Sequence, residues 1–170
     1  MDIIKLMNDR YSCKNYLDKA VEQEKLDIIL EAGRLAPTAK NLQEQRVYVV
    51  RSEEALAKVD AATPCRYGAP VVLVVAYDKD NVYTYPDAFK KSGDEDATIV
   101  ATHMMLAATA VGVDSCWLNF VKMEELHDAL GLPENEEITM LLDLGYASET
   151  GVPLANHMSR KPIEETVTYL

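Results

Sequence analysis

The longest apolar run in the chain, Pro70-Val71-Val72-Leu73-Val74-Val75-Ala76-Tyr77, sets the first limit on its fold. It is far shorter than the roughly 20 residues a membrane-crossing helix requires, and it reads as a buried strand. A buried strand needs a core around it. With 170 residues and 48% hydrophobic content the chain can build one such core and is too short for two, so a single domain over 1–170 is expected.

The periodicity around this strand alternates between helix and strand. Asp2 can cap a short helix carrying Ile3, Leu6 and Met7. Leu26, Ile29, Leu30 and Gly33 share one face of a helix over Glu22–Leu35 that Pro37 stops. Thr38–Gln43 is a polar loop, Arg46–Arg51 a strand, and Ser52 a cap for a helix over Glu53–Val59. Asp78–Gly93 reads as a loop with little regular structure that covers a pocket. From Asp94 to Val111 no Pro or Gly interrupts an Ala- and Met-rich helix of roughly 27 Å, with Gly112 as its stop. Its small residues suit a subunit interface, a central core position, or both. Ser115–Phe120 and Thr139–Tyr146 read as strands flanking a helix over Met123–Leu130, and Ile163–Tyr169 as a final strand or helical turn. With so few strands the class is α+β, not a doubly wound parallel sheet.

The formal charge of −11 disfavours nucleic acid and anionic membrane surfaces as partners. An anionic cofactor would need a local basic site. Lys122 is the only Lys or Arg between Ser92 and Ser159, so that site must draw on the ends of the chain: Arg10 and Lys14, Arg160 and Lys161. Three widely spaced cysteines, Cys13, Cys65 and Cys116, fit a reducing compartment better than a disulfide framework. With no basic, apolar leader pattern at the start, the expected location is the cytoplasm. Glycine-rich dinucleotide and P-loop fingerprints and the nucleophile elbow are absent, and His103, His127 and His157 lack metal-ligand spacing, so no metal is expected. Cys116, in an apolar strand, reads as a buried structural thiol more than a nucleophile.

Four segments remain, in a recognisable order: Arg10-Tyr11-Ser12-Cys13-Lys14-Asn15-Tyr16; Ala36-Pro37-Thr38-Ala39-Lys40-Asn41-Leu42-Gln43; the long helix running into Gly112-Val113-Asp114-Ser115-Cys116-Trp117-Leu118-Asn119-Phe120; and Leu144-Gly145-Tyr146 followed by Ser159-Arg160-Lys161-Pro162. Together they resemble the FMN-dependent nitroreductase family over nearly the whole chain. The resemblance implies an α+β nitroreductase-like fold, with a small central mixed or antiparallel sheet flanked by helices and a long central helix at a homodimer interface.

It further implies that Arg10, Ser12 and Arg160, with Tyr11 and Lys161 beside them, hold the FMN phosphate and ribityl chain, where charge-assisted donors suit a dianion. Lys14 would lie near the pyrimidine end and tune the flavin electrostatically. Pro37, Thr38, Ala39 and Asn41 would approach the flavin from the other subunit. Leu118 and Asn119 would lie on the flavin-facing strand, with the Asn119 backbone amide facing flavin N5. The implied activity is an NAD(P)H oxidoreductase that reduces nitroaromatics, quinones or a related small acceptor by a ping-pong mechanism, with NADH or NADPH as donor. A reductase or dehydrogenase for one metabolite, and a non-catalytic flavin-binding module, are the alternatives. Glu44 and Gln45 depart from the family's Pro and aromatic at this point and predict a more polar pocket wall, and Arg66 is a stand-in for a second pyrimidine-facing lysine.

Overall fold

Each helix begins and ends where its capping chemistry directs. In the computed structural model, which describes residues 2–86 and 90–170, the Asp2 carboxylate accepts from Ile4 N (2.9 Å) and Lys5 N (3.2 Å) and opens α1 (Ile3–Asp9). α2 (Gln23–Arg34) ends short of Pro37, and after β1 (Gln45–Val50) the Ser52 hydroxyl accepts from Ala55 N and starts α3 (Glu53–Ala62). β2 (Val71–Asp78) leads towards α4 (Gly93–Ala110). α4 closes on Gly112 at φ +71°, where Val113 N reaches back to Ala108 O at 2.8 Å. β3 (Asp114–Leu118), α5 (Met123–Leu130) and β4 (Glu136–Gly145) complete the domain.

The four strands form one antiparallel sheet in the order β1-β2-β4-β3. Among the described residues the single parallel contact is a bridge from Ser12 to Ser115, so the sheet is antiparallel apart from the N-terminal segment laid on its edge. Every residue of β2 is buried, which explains the unbroken apolar run. Leu73, Val75, Met140, Leu142 and Leu144 pack against Leu26 and Ile29 of α2 and Val100 and Met104 of α4. On the other face Val72, Val74, Leu141, Cys116 and Leu118 pack against Val59 of α3 and Leu126 of α5. No described helix is long and apolar enough to cross a membrane.

Two expectations are corrected. β4 starts at Glu136, not Thr139, because Glu136 is a strand residue whose carboxylate is taken up by the Tyr48 hydroxyl and by Arg46 (3.5 Å); charge disguised it as loop. β3 ends at Leu118, two residues before the expected Phe120. The Asp78–Gly93 segment has more order than expected: Ser92 N donates to Tyr83 O (2.9 Å), Tyr83 N to Ser92 Oγ (3.1 Å), and Thr84 bridges Lys91. Residues 87–89 of this segment lie outside the described residues.

At Gly93 a Cβ would sit 2.3 Å from the Tyr77 ring, a rigid buried neighbour. Gly93→Ala is therefore expected to cost about 1–3 kcal/mol by overpacking, measurable as a lowered Cm in urea.

Candidate functional site

Past α1 the chain is extended, and Ser12 bridges Ser115 in parallel while Cys13 N donates to Ser115 O at 2.9 Å. Ser12 thereby sits against the start of β3 between Arg10 and Lys14, and by Tyr16 the segment has turned to bridge Ala147, beyond the end of β4. Between Ser115 and Asn119 the strand rises roughly 13 Å. Cys13 is buried and packs with Tyr16 and Ala69, anchoring the segment, whereas Arg10 and Ser12 are half-buried and Lys14 is exposed. Among the described residues neither Arg10 nor Lys14 has an acidic partner, although the chain carries a charge of −11 and most other cations are paired. Lys14 Nζ lies 5.9 Å from the centre of the Tyr67 ring.

The C-terminal tail is brought to this segment. Tyr11 donates its hydroxyl to Gly151 O at 2.8 Å, Ser148 N donates to Asn15 O at 3.0 Å, and His157 Nε2 donates to Asn8 O at 2.9 Å with its ring edge-on to Tyr11. Burial, then the Asp114 carboxylate, pushes the Tyr11 phenol well above its ordinary range, so Tyr11 serves as a neutral strut for the tail. Arg160, three residues past His157, donates to His157 O (2.6 Å) and Ser159 O (2.7 Å). Lys161 lies on the exposed tail with Glu165 at 3.5 Å. The two ends of the chain thus meet. His157 and Gly151 are the residues that make them meet, and nothing in their local sequence signals it.

At the far end of β3 the Trp117 indole donates to the Asn119 side-chain carbonyl, and Asn119 Nδ2 reaches Thr139 O at 3.5 Å. Leu118 is buried in the core beneath them. The Pro37–Gln43 loop stands elsewhere, at the first turn of α4, where Ala39 N donates to Asp96 Oδ1 at 2.9 Å and Gln43 N to Thr38 Oγ1 at 3.1 Å. Lys40, Asn41 and Gln43 hold positive φ of 51°, 55° and 55°, strained for residues with side chains. Roughly 20 Å of α4 separate Asp96 from the turn into β3, so one chain does not bring this loop onto the Arg10–Ser12 end.

Three other readings are settled by geometry. Arg66 donates to both Asp60 oxygens (2.7 and 2.6 Å) and to Ala69 O (2.8 Å), so each nitrogen of its fork already has a partner within the chain. Glu44 does not line a pocket wall: it is 1% exposed and turned inwards beside Ser92 and Asp96. Cys116 is buried, and desolvation holds its thiol up at about 11, an inert setting.

The sequence profile of the Nitroreductase family matches residues 7–65 and 64–146. The chain belongs to the nitroreductase family. A protein of Archaeoglobus fulgidus that carries the provisional name NADH dehydrogenase/NAD(P)H nitroreductase is 31% identical over 156 residues, which cover 87% of each chain. The crystal structure of a nitroreductase family protein from Clostridium difficile 630 superposes with a TM-score of 0.93 at 38% identity, covering 99% of this chain and 98% of that one. A nitroreductase-fold protein from Exiguobacterium sibiricum, solved in complex with FMN, is similar at TM-score 0.85 and 22% identity over 100% of this chain and 98% of its own, a likeness of fold. The nitroreductase fold expected from the sequence is the one observed.

Proposed function

We propose that this nitroreductase-family chain is an FMN-dependent NAD(P)H oxidoreductase that works as a homodimer in the cytoplasm and reduces nitroaromatics, quinones or a related small organic acceptor by a ping-pong mechanism. The observation that carries the reading is the pair Arg10 and Lys14: two cations on one extended segment, without acidic partners among the described residues, in a strongly acidic chain, with the tail bearing Arg160 docked on the same segment through Asn8 and Tyr11. That donor set fits an anionic cofactor.

Arg10, Ser12 and Arg160 bind the phosphate and ribityl end, with Tyr11 and Lys161 supporting the motif. Lys14 holds positive charge at the pyrimidine end. Leu118 fixes the strand that bears Asn119, and the Asn119 backbone amide is the donor at flavin N5. Pro37, Thr38, Ala39 and Asn41 close the site from the second subunit, a reading supported by their distance from Arg10 within one chain. FMN, when bound, supplies the two-electron chemistry, accepting hydride from the nicotinamide and passing electrons to the acceptor.

The test is anaerobic. Purified protein should show flavin absorbance that NADH or NADPH bleaches and that a nitroaromatic or quinone restores. Absorbance that neither nucleotide bleaches would leave a flavin-binding module in place of an enzyme.

A further inference from the structure

Where the Pro37–Gln43 loop joins α4, two carboxyl groups are buried side by side. Glu44 is 1% exposed and Asp96 4% exposed, and the Glu44 carboxyl lies within hydrogen-bond reach of Asp96. Glu44 Oε1 accepts weakly from Ser92 Oγ (3.4 Å), and Asp96 Oδ1 accepts from Ala39 N (2.9 Å). Glu44 Oε2 and Asp96 Oδ2 are buried and without a partner among the described residues.

The charged and titratable groups packed around them are engaged elsewhere. On the loop, Lys40 Nζ sits 4.6 Å over the Tyr83 ring. On the segment after β2, Tyr85 and Lys90 both bind Glu95, and Lys91 is exposed. On α4, Asp94 accepts from Thr139 at 3.0 Å. On β2, Tyr77 covers Gly93, and Asp78 holds Asn81, Asn135 and Arg46. No cation among the described residues pairs with Glu44 or Asp96.

We propose that Glu44 and Asp96 share one proton, Glu44 Oε2–H donating to Asp96 Oδ2, and that this bridge is the latch that holds the strained Pro37–Gln43 loop against α4, making the two acids positioning residues for the cofactor-facing loop. Two adjacent buried carboxylates cannot both ionise cheaply, and a shared proton satisfies both orphaned oxygens at once. Burial first, and the hydrogen bond to Asp96 second, push Glu44 up to about 7, which places the change near neutrality. Below that pH the bridge is made; above it the proton leaves, the carboxylates repel, and the loop loses the contact that offsets its three left-handed residues. What the loop does for the cofactor rests on the function proposed above; the latch itself does not.

Amide exchange over residues 38–44 tests it, on FMN-treated and flavin-free protein from pH 5 to pH 9, corrected for the chemical exchange rate. Loop opening should rise by up to about tenfold per pH unit as pH climbs towards 7, the limit for one released proton, and level off above it once the closed loop has lost the proton too. Glu44→Gln, whose amide donates to Asp96 without a titrating proton, should stay protected and level, and Asp96→Asn should behave alike. A level wild-type profile, or a Glu44→Gln profile with the wild-type slope, would overturn the latch. FMN affinity measured on the same samples should fall as the loop opens, and affinity that ignores a clear exchange slope would overturn the positioning role. Failure to take up FMN at any pH would instead overturn the proposed function.

Discussion

Between pH 7 and pH 9 the folded chain is expected to lose about 2 kcal/mol of stability, and Asp143→Asn to remove most of that slope. Asp143 stands on β4 between Val72 and Cys116 in register, fully buried, with neither oxygen hydrogen-bonded among the described residues. Burial holds its carboxyl up at about 9, against the opposing pull of the Arg66 guanidinium. The folded state therefore keeps a proton that the unfolded chain releases near pH 4. This contribution is whole below the unfolded value and is lost as pH rises through the folded one. Glu44 titrates near 7, so the alkaline window isolates Asp143. Thermal unfolding should fall by about 4–8 °C across the window in the wild type and stay nearly level in Asp143→Asn, whatever that variant's baseline. Parallel slopes would mean the acid is not held neutral.

Arg10→Ala and Arg160→Ala are each expected to weaken FMN binding by about 1.5–3 kcal/mol, roughly ten- to a hundred-and-fifty-fold, while riboflavin binding changes far less. The physical ground is that each guanidinium would donate charge-assisted bonds to a phosphate that riboflavin lacks. Arg160 must give up its bonds to His157 O and Ser159 O to do so, which places its effect at the lower end. Lys14→Ala should weaken both ligands and lower the flavin's reduction potential. Titration of both ligands into refolded apo-protein reads all three, and an unchanged preference for FMN over riboflavin in Arg160→Ala would exclude the C-terminal motif from the site.

Local chemistry made much of this legible beforehand. The apolar run at Val71–Tyr77, the caps at Asp2 and Ser52, and the stops at Pro37 and Gly112 each act over a few residues, so the sequence displays them directly. What stayed hidden depends on partners distant in the chain. Glu136 reads as loop until Tyr48 and Arg46 arrive to neutralise it, and Glu44 reads as a polar pocket wall until Asp96 is set opposite. Arg66 looked available because its partner Asp60 is six residues away on α3, at no regular spacing. That the two ends of the chain come together was inferred from the placing of the basic residues and from family order, but the struts that dock the tail, Tyr11 to Gly151 and His157 to Asn8, span about 140 residues or more and leave no local trace.

The order β1-β2-β4-β3 leaves the sheet with two outer strands, and they are not equivalent. The N-terminal segment covers β3 through Ser12, whereas β1 bonds, among the described residues, to β2 alone. Lateral growth of the sheet by a second molecule could therefore begin only along β1. There the chain sets Arg46, ion-paired to Asp78 and Glu136, beside Tyr48, itself tied to Glu136, so an incoming strand would meet a hydrated guanidinium and fixed side chains in place of a flat apolar edge. Such edges resist templated aggregation. Arg46 and Tyr48 thus guard the β1 edge against templated growth, a role separate from the stability of the fold and from anything that happens along β3.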